Sequence, residues 1–308
     1  MIKVRGFVKR YGDFPAVSGI DMDIEEGDIY GFIGPNGAGK TTTMRFLSTL
    51  LEPTRGEAWV NGYSVTRSPA HVKRSIGFMP DRFGVYDGMR VWEFLDFFAV
   101  AYGIPKKKRP GIIEDVLVLL DLQGKRDDLV NGLSRGMQQR LCLAKTLVHD
   151  PPVLILDEPA SGLDPRARVE IKELLRELQR MGKTILISSH ILSELADCCN
   201  KVGIIEKGKV LASGPVDEII KSIRRNIIVE VVVSEKAEEC EYLLRTSDLI
   251  DNIERGGDDF RFEFGGTMKE IVDLHSWLIA SGIPVLWFRE VRADLEDVFM
   301  TITKGEVA

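Results

Sequence analysis

The chain has 308 residues, 44% hydrophobic and 29% charged, with a formal net charge of −6. That balance suits a globular chain of about two domains with a real core and argues against a nucleic-acid partner, which leaves a basic footprint. No apolar run approaches the ~18 residues of a membrane-spanning helix. The four cysteines show no Cys-x-x-Cys spacing and read as reduced cytosolic thiols.

The N-terminus carries no signal-peptide apolar region. Residues 1–28 alternate apolar and polar through Val4, Phe7, Val8, Val17, Ile20, Met22 and Ile24, with turn signals at Gly12-Asp13 and Gly27-Asp28. The pattern predicts antiparallel strands. Tyr11 falls in a connection, where its ring can either stack on a base or cover a sheet edge.

Residues Ile29–Thr43, IYGFIGPNGAGKTTT, carry the strongest signal in the chain. The stretch Gly34, Pro35, Asn36, Gly37, Ala38, Gly39, Lys40, Thr41 fits the phosphate-binding pattern G-x-x-x-x-G-K-[ST], and Thr42 follows it. Ile29–Ile33 reads as a buried parallel strand, and Met44, Phe46, Leu47 and Leu50 recur at roughly helical spacing. Strand, glycine loop and helix is the context the motif needs. The glycines let successive N–H groups converge on an anion, and the helix adds its positive end. Lys40 can reach the β- and γ-phosphates, and the Thr41 hydroxyl can ligate Mg²⁺.

Residues 51–80 read as strand material, Glu57–Val60 and Ser75–Met79, around the turn Asn61-Gly62. Val91, Phe94, Leu95, Phe98, Ala99 and Tyr102 then predict an amphipathic helix, with another over Ile112–Leu120. The basic run Lys106–Arg109 reads as a solvated loop. Residues 82–148 are therefore expected to form a helical insert between strands.

Val153–Leu156 is a second buried parallel strand and ends in Asp157-Glu158; Thr184–Ile187 is a third and leads to Ser188-Ser189-His190. A helix lies between them at Ile171, Leu174, Leu175 and Leu178. Ligand sites belong at the carboxyl ends of such strands. A composition shift at 213–226 marks a boundary, placed at 220/221. Beyond it, runs Ile227–Val233, Phe260–Phe264 and Val285–Phe288, with helical patterns at 237–245 and 267–281, suggest a small α+β domain of ferredoxin-like order βαββαβ.

Asp157 closes a hydrophobic strand, so it can hold Mg²⁺ against Thr41. Glu158 follows it where the backbone turns, and can polarise an attacking water. Leu133–Arg140, LSRGMQQR, offers Ser134 as an N-cap and Gly136 for close approach, hence a second anion-binding helix start.

GPNGAGKTT, LSRGMQQR, LILDEP, SGLD and a histidine after a strand stand in that order. Over residues 1–225 the chain resembles the ATP-binding subunit of an ABC transporter. The remainder, with its tail LEDVFMTIT, resembles the C-terminal extension of ATPases serving drug- or polymer-type exporters. The resemblance implies an α/β fold: a P-loop NTPase core of mixed sheet with flanking antiparallel strands and the helical insert. It further implies that Tyr11 stacks on adenine and that Ser134 and Gly136 contact the γ-phosphate of ATP held by a partner copy. Asp164 would couple the two sites, and His190 would sense the γ-phosphate. Two copies would sandwich two ATP molecules head to tail. The partners implied are a second copy and integral-membrane transporter subunits docked near Arg82–Arg90, which puts the chain at the cytoplasmic face of the membrane.

Three positions depart from the family's pattern. Asp81 stands where a glutamine is usual, and can reach Mg²⁺ through water; Arg135 replaces a glycine and Met137 a glutamine. A soluble ABC-type ATPase acting on a non-membrane partner is the alternative, but such proteins usually carry two ATPase halves or a coiled-coil insertion. A nucleotide sensor without turnover is disfavoured by the intact Asp157-Glu158 pair.

Overall fold

The computed structural model describes residues 1–81, 84, 88–191, 198–223 and 227–291. The tail Leu295–Thr303 and much of the expected docking segment near Arg82–Arg90 lie outside the described residues. The chain divides into two units, Met1–Val216 and Asp217–Ala308.

In the first unit, β1 (Ile2–Tyr11), β2 (Phe14–Ile24), β4 (Arg55–Val60) and β5 (Tyr63–Ser64) form an antiparallel sheet in the order β2-β1-β4-β5. A second sheet runs β10-β9-β3-β8-β7-β6. It is built from β3 (Ile29–Ile33), β6 (Ile76–Met79), β7 (Val153–Asp157), β8 (Thr184–Ser189), β9 (Lys201–Glu206) and β10 (Lys209–Pro215). Its strands are parallel except β10, which pairs antiparallel with β9. The central strands β3, β7 and β8 are buried along their whole length, as continuous apolar runs covered on both faces must be.

Helix α1 (Lys40–Leu47) packs against β2, β4 and β7 and so lies between the sheets. Phe46 on its inner face stacks on Phe7 of β1 with centroids 4.2 Å apart. Both rings are fully buried, each contributing about 1.5–3 kcal/mol through lost apolar exposure. This core fixes the loop ahead of α1, whose N-cap is Gly39.

The insert holds α3 (Val91–Ala101), α4 (Arg109–Leu119) and α5 (Arg135–Leu147). Two sequence expectations need correction here. Residues 69–75, read among strand material, form the short helix α2 (Pro69–Ser75), opened by proline at its first position. Arg109, expected in a solvated loop, starts α4 and holds Asp96 of α3, its Nη1 donating to Oδ1 at 3.0 Å and to Oδ2 at 2.9 Å. Its side chain is only 14% exposed. Helix α6 (Pro165–Arg180) connects β7 to β8, with Ile171, Leu175 and Leu178 buried.

Helix α7 (Val216–Ile223) follows β10. The second unit then runs β11 (Ile227–Val233), α8 (Ala237–Arg245), β12 (Ile250–Gly256), β13 (Asp259–Phe264), α9 (Met268–Ala280) and β14 (Val285–Val291). Its sheet order is β12-β13-β11-β14, with every pairing antiparallel, giving the βαββαβ order of a ferredoxin-like domain. Val229, Val231, Phe260, Phe262 and Phe264 alternate onto the face that carries its core.

Candidate functional site

The loop between β3 and α1 is shaped by close approach. A Cβ at Gly39 would lie 2.8 Å from the Ala16 carbonyl oxygen, and its φ of 111° is open to glycine alone at low cost. Lys40 points back across the loop, its Nζ donating to the carbonyls of Gly34 at 2.6 Å and Pro35 at 3.2 Å. The same ammonium lies 3.5 Å from Glu158 Oε1, with both side chains nearly buried. Burial pulls the Lys40 pKa down, and the Glu158 carboxylate pushes the other way.

At the ends of β7 and β8 the polar groups form a relay. The Glu158 N–H donates to Ser188 Oγ at 2.9 Å, and that hydroxyl donates to Asp157 Oδ1 at 2.6 Å. His190 Nδ1 meets Glu158 Oε2 at 2.7 Å. Glu158 itself sits at φ 52°, a left-handed conformation that costs a non-glycine residue about 1–3 kcal/mol and clusters at functional sites. The turn brings its carboxylate to the loop side, where a continuing strand would have sent it to the opposite face from Asp157. Burial pushes the Asp157 carboxyl above its ordinary range, while the hydroxyls of Ser188 and Thr41 pull it back. Its other oxygen, Oδ2, is buried and has no hydrogen-bond partner among the described residues.

These groups border one cavity of about 560 Å³. Tyr11, Asn36–Thr42, Asp81, Glu158 and His190 line it, and so do Phe14, Ala16, Arg135 and Ser161. Tyr11 and Phe14 are 49% and 63% exposed, so two aromatic faces are presented at its rim. Gly34 and Asp157 are buried beneath the lining, and Pro35 is half-buried beside them.

Ser134, Gly136 and Asp164 are not in that lining. Ser134 caps α5, accepting from Met137 N at 3.3 Å, and is exposed; Gly136 is half-buried. Asp164 caps α6, accepting from Ala167 N at 2.9 Å, and is also exposed. The start of α5 is nevertheless tied to the β7 turn, because the buried Gln139 side chain donates to the Pro159 carbonyl. This hydrogen bond links α5 directly to the backbone beside Glu158.

Sequence reasoning overlooked Phe14, Ser161, Ser188 and Arg135 as site residues. Phe14 had a usable signal, an apolar residue three positions after Tyr11 across a turn. Ser188 had only its place at a strand end, and its role appears once β7 and β8 are paired.

The family profile described as "ABC transporter" matches residues 17–161. The chain is similar to the bacitracin transport ATP-binding protein BcrA of Bacillus licheniformis: 35% identical over 310 residues, covering 99% of this chain and 98% of that protein. It is also similar to the Nod factor export ATP-binding protein I of Ralstonia nicotianae, 33% identical over 313 residues, covering 100% of this chain and 95% of the other. Among solved structures, an ATP-binding subunit of an ABC transporter superposes with a TM-score of 0.66 at 29% identity, covering 72% of this chain and 92% of that one.

Proposed function

This chain belongs to the ATP-binding proteins of ABC transporters, and from that premise we propose that it works as a pair, each copy closing the other's nucleotide site. It binds ATP and hydrolyses it to power transport. The proposed arrangement rests on one observation. Lys40, Glu158 and His190 converge on a single cavity, while Ser134 and Asp164, both exposed, and the half-buried Gly136 lie outside its lining. A second copy, related by a two-fold axis, would bring those groups onto the far side of the bound phosphates.

In this reading Tyr11 stacks on adenine, and the backbone of Gly34–Thr42 with Lys40 cradles the triphosphate. Glu158 accepts a proton from water as the water oxygen bonds to the γ-phosphorus and the bond to ADP breaks. His190, bonded to the second Glu158 oxygen, holds that carboxylate in place and faces the γ-phosphate. Thr41, Asp157 and, through water, Asp81 are the residues that would hold Mg²⁺. The buried, unpartnered Asp157 Oδ2 fits such an ion. Bound there, Mg²⁺ would neutralise charge on the phosphate oxygens.

The partner would be an integral-membrane transporter protein. Among the described residues no helix is long and apolar enough to cross a membrane. A groove of about 590 Å³, lined by Leu50, Phe78, Phe98 and Tyr102 among others, runs between α2, β6 and the insert. Its apolar residues, together with Lys73, Arg74 and Lys145 in the same lining, suit a short amphipathic segment of such a partner, which would place this chain at the cytoplasmic face of the membrane. The names of both relatives favour export or drug-type transport. Light scattering of the Glu158→Gln chain tests the pairing: Mg-ATP should convert the 34.5 kDa chain to a species of twice that mass. A mass unchanged by saturating Mg-ATP would refute it.

A further inference from the structure

The cavity's charges do not balance around a polyphosphate. Among its lining residues only Lys40 and Arg135 are always cationic, against the carboxylates of Asp81 and Glu158. Lys40 shares its charge with other groups: it is buried, hydrogen-bonded to two loop carbonyls and ion-paired with Glu158. Asp81 acts on the same region, since its charge is felt at both Lys40 and Asp157.

Arg135 is differently placed from its neighbours at the start of α5. Ser134 and Gly136 lie outside the cavity, whereas the Arg135 side chain turns into its lining. It reaches there by lying across Gly162. A Cβ at that position would stand 2.5 Å from the guanidinium carbon, and Gly162 has φ +70°. With glycine here, the guanidinium can rest against the loop without moving aside. Among the described residues no carboxylate pairs with it, so its fork of donors is available to phosphate oxygens, which it matches in geometry.

We infer that Arg135 binds the polyphosphate of the ATP held by its own chain, so that one residue of the α5 start serves in cis while Ser134 and Gly136 serve the partner's nucleotide. The inference rests on the nucleotide assignment above. It gives the site a second phosphate-binding cation and offsets the carboxylate at 81.

The test is ATP affinity in the monomer, where a residue acting only across the pair has no effect. ATP and, separately, AMP are titrated by calorimetry into the chain at concentrations where light scattering reports one copy. Arg135→Gln should weaken ATP binding about tenfold, the loss of one charge-assisted contact, and leave AMP affinity within about twofold of the parent value. Arg135→Lys should recover most of that loss. ATP affinity unchanged in Arg135→Gln, an equal loss for AMP, or no recovery with lysine would each overturn the inference. Lys40→Ala run alongside separates the two failures: if it too leaves ATP affinity unchanged, the nucleotide assignment is what has failed.

Discussion

Replacing Glu158 by glutamine isolates the proton-accepting role from everything else this side chain does. Glutamine keeps the length and one oxygen, so the contact that Glu158 makes with His190 at 2.7 Å can persist. The backbone N–H bond to Ser188 is untouched by the change. What disappears is the basic oxygen. General-base assistance is worth about 10²–10⁴-fold in rate, or roughly 3–5.5 kcal/mol of barrier at 1.36 kcal/mol per decade. Binding should not weaken. Lys40 loses its anionic neighbour at 3.5 Å and becomes freer to face phosphate, so ATP affinity should hold or rise. Phosphate release under saturating Mg-ATP measures the first quantity, and equilibrium titration of ATP the second. A Glu158→Gln chain that hydrolyses ATP at the parent rate would refute the base assignment. One that fails to bind ATP would show that the carboxylate organises the pocket instead.

Other outcomes follow from the same geometry. Lys40→Ala removes the buried ammonium that bridges the loop and Glu158; ATP affinity by titration should fall by at least about tenfold, and unchanged affinity would count against the loop. Asp157→Asn should raise the melting temperature without nucleotide while abolishing the benefit of Mg²⁺ to ATP binding. Burial raises the folded pKa of Asp157, so the folded chain binds this proton more tightly than the unfolded chain. The group's cost to stability therefore builds as pH rises through the unfolded pKa and is complete above the folded pKa. The gap in melting temperature over the parent should be present at neutral pH and close as pH falls through the carboxylate range; a gap independent of pH contradicts this. Arg109→Ala removes both Nη1 hydrogen bonds to the Asp96 carboxylate. Breaking this pair should cost about 1–2 kcal/mol and lower the melting temperature of the first unit by about 2–8 °C, read by calorimetry, with lysine restoring less than half.

The parts of the molecule legible in the sequence share one property: their signal is local. Strand β3, the glycine loop and α1 follow one another without a break, so a single stretch encodes both position and chemistry. Asp157-Glu158 at the end of an apolar run is legible for the same reason. Strand β12 was implied by the expected βαββαβ order but could not be placed on residues. IDNIERG is exposed at most positions and has one neighbouring strand, so it shows no alternating apolar face. Arg109 was misread because its partner Asp96 lies on a different helix, and a basic run looks solvated until that helix is placed. Arg135 stood out as an unusual residue, but that it reaches over Gly162 depends on a loop 27 positions further on. Residues whose roles arise from pairing between strands or packing between helices leave no pattern along the chain.

The pairing itself can be tested with one cross-link. Asn36 lies in the phosphate loop and Ser134 at the start of α5, both exposed, while all four native cysteines are buried. Chains carrying Asn36→Cys and chains carrying Ser134→Cys, each in the Glu158→Gln background, are mixed and treated with a short bifunctional maleimide. With Mg-ATP the mixture should yield a covalent species of twice 34.5 kDa, absent without nucleotide and from either variant alone. If ATP is bound and no such species forms, the phosphate loop of one copy does not face the α5 start of another, and the shared site described here is wrong.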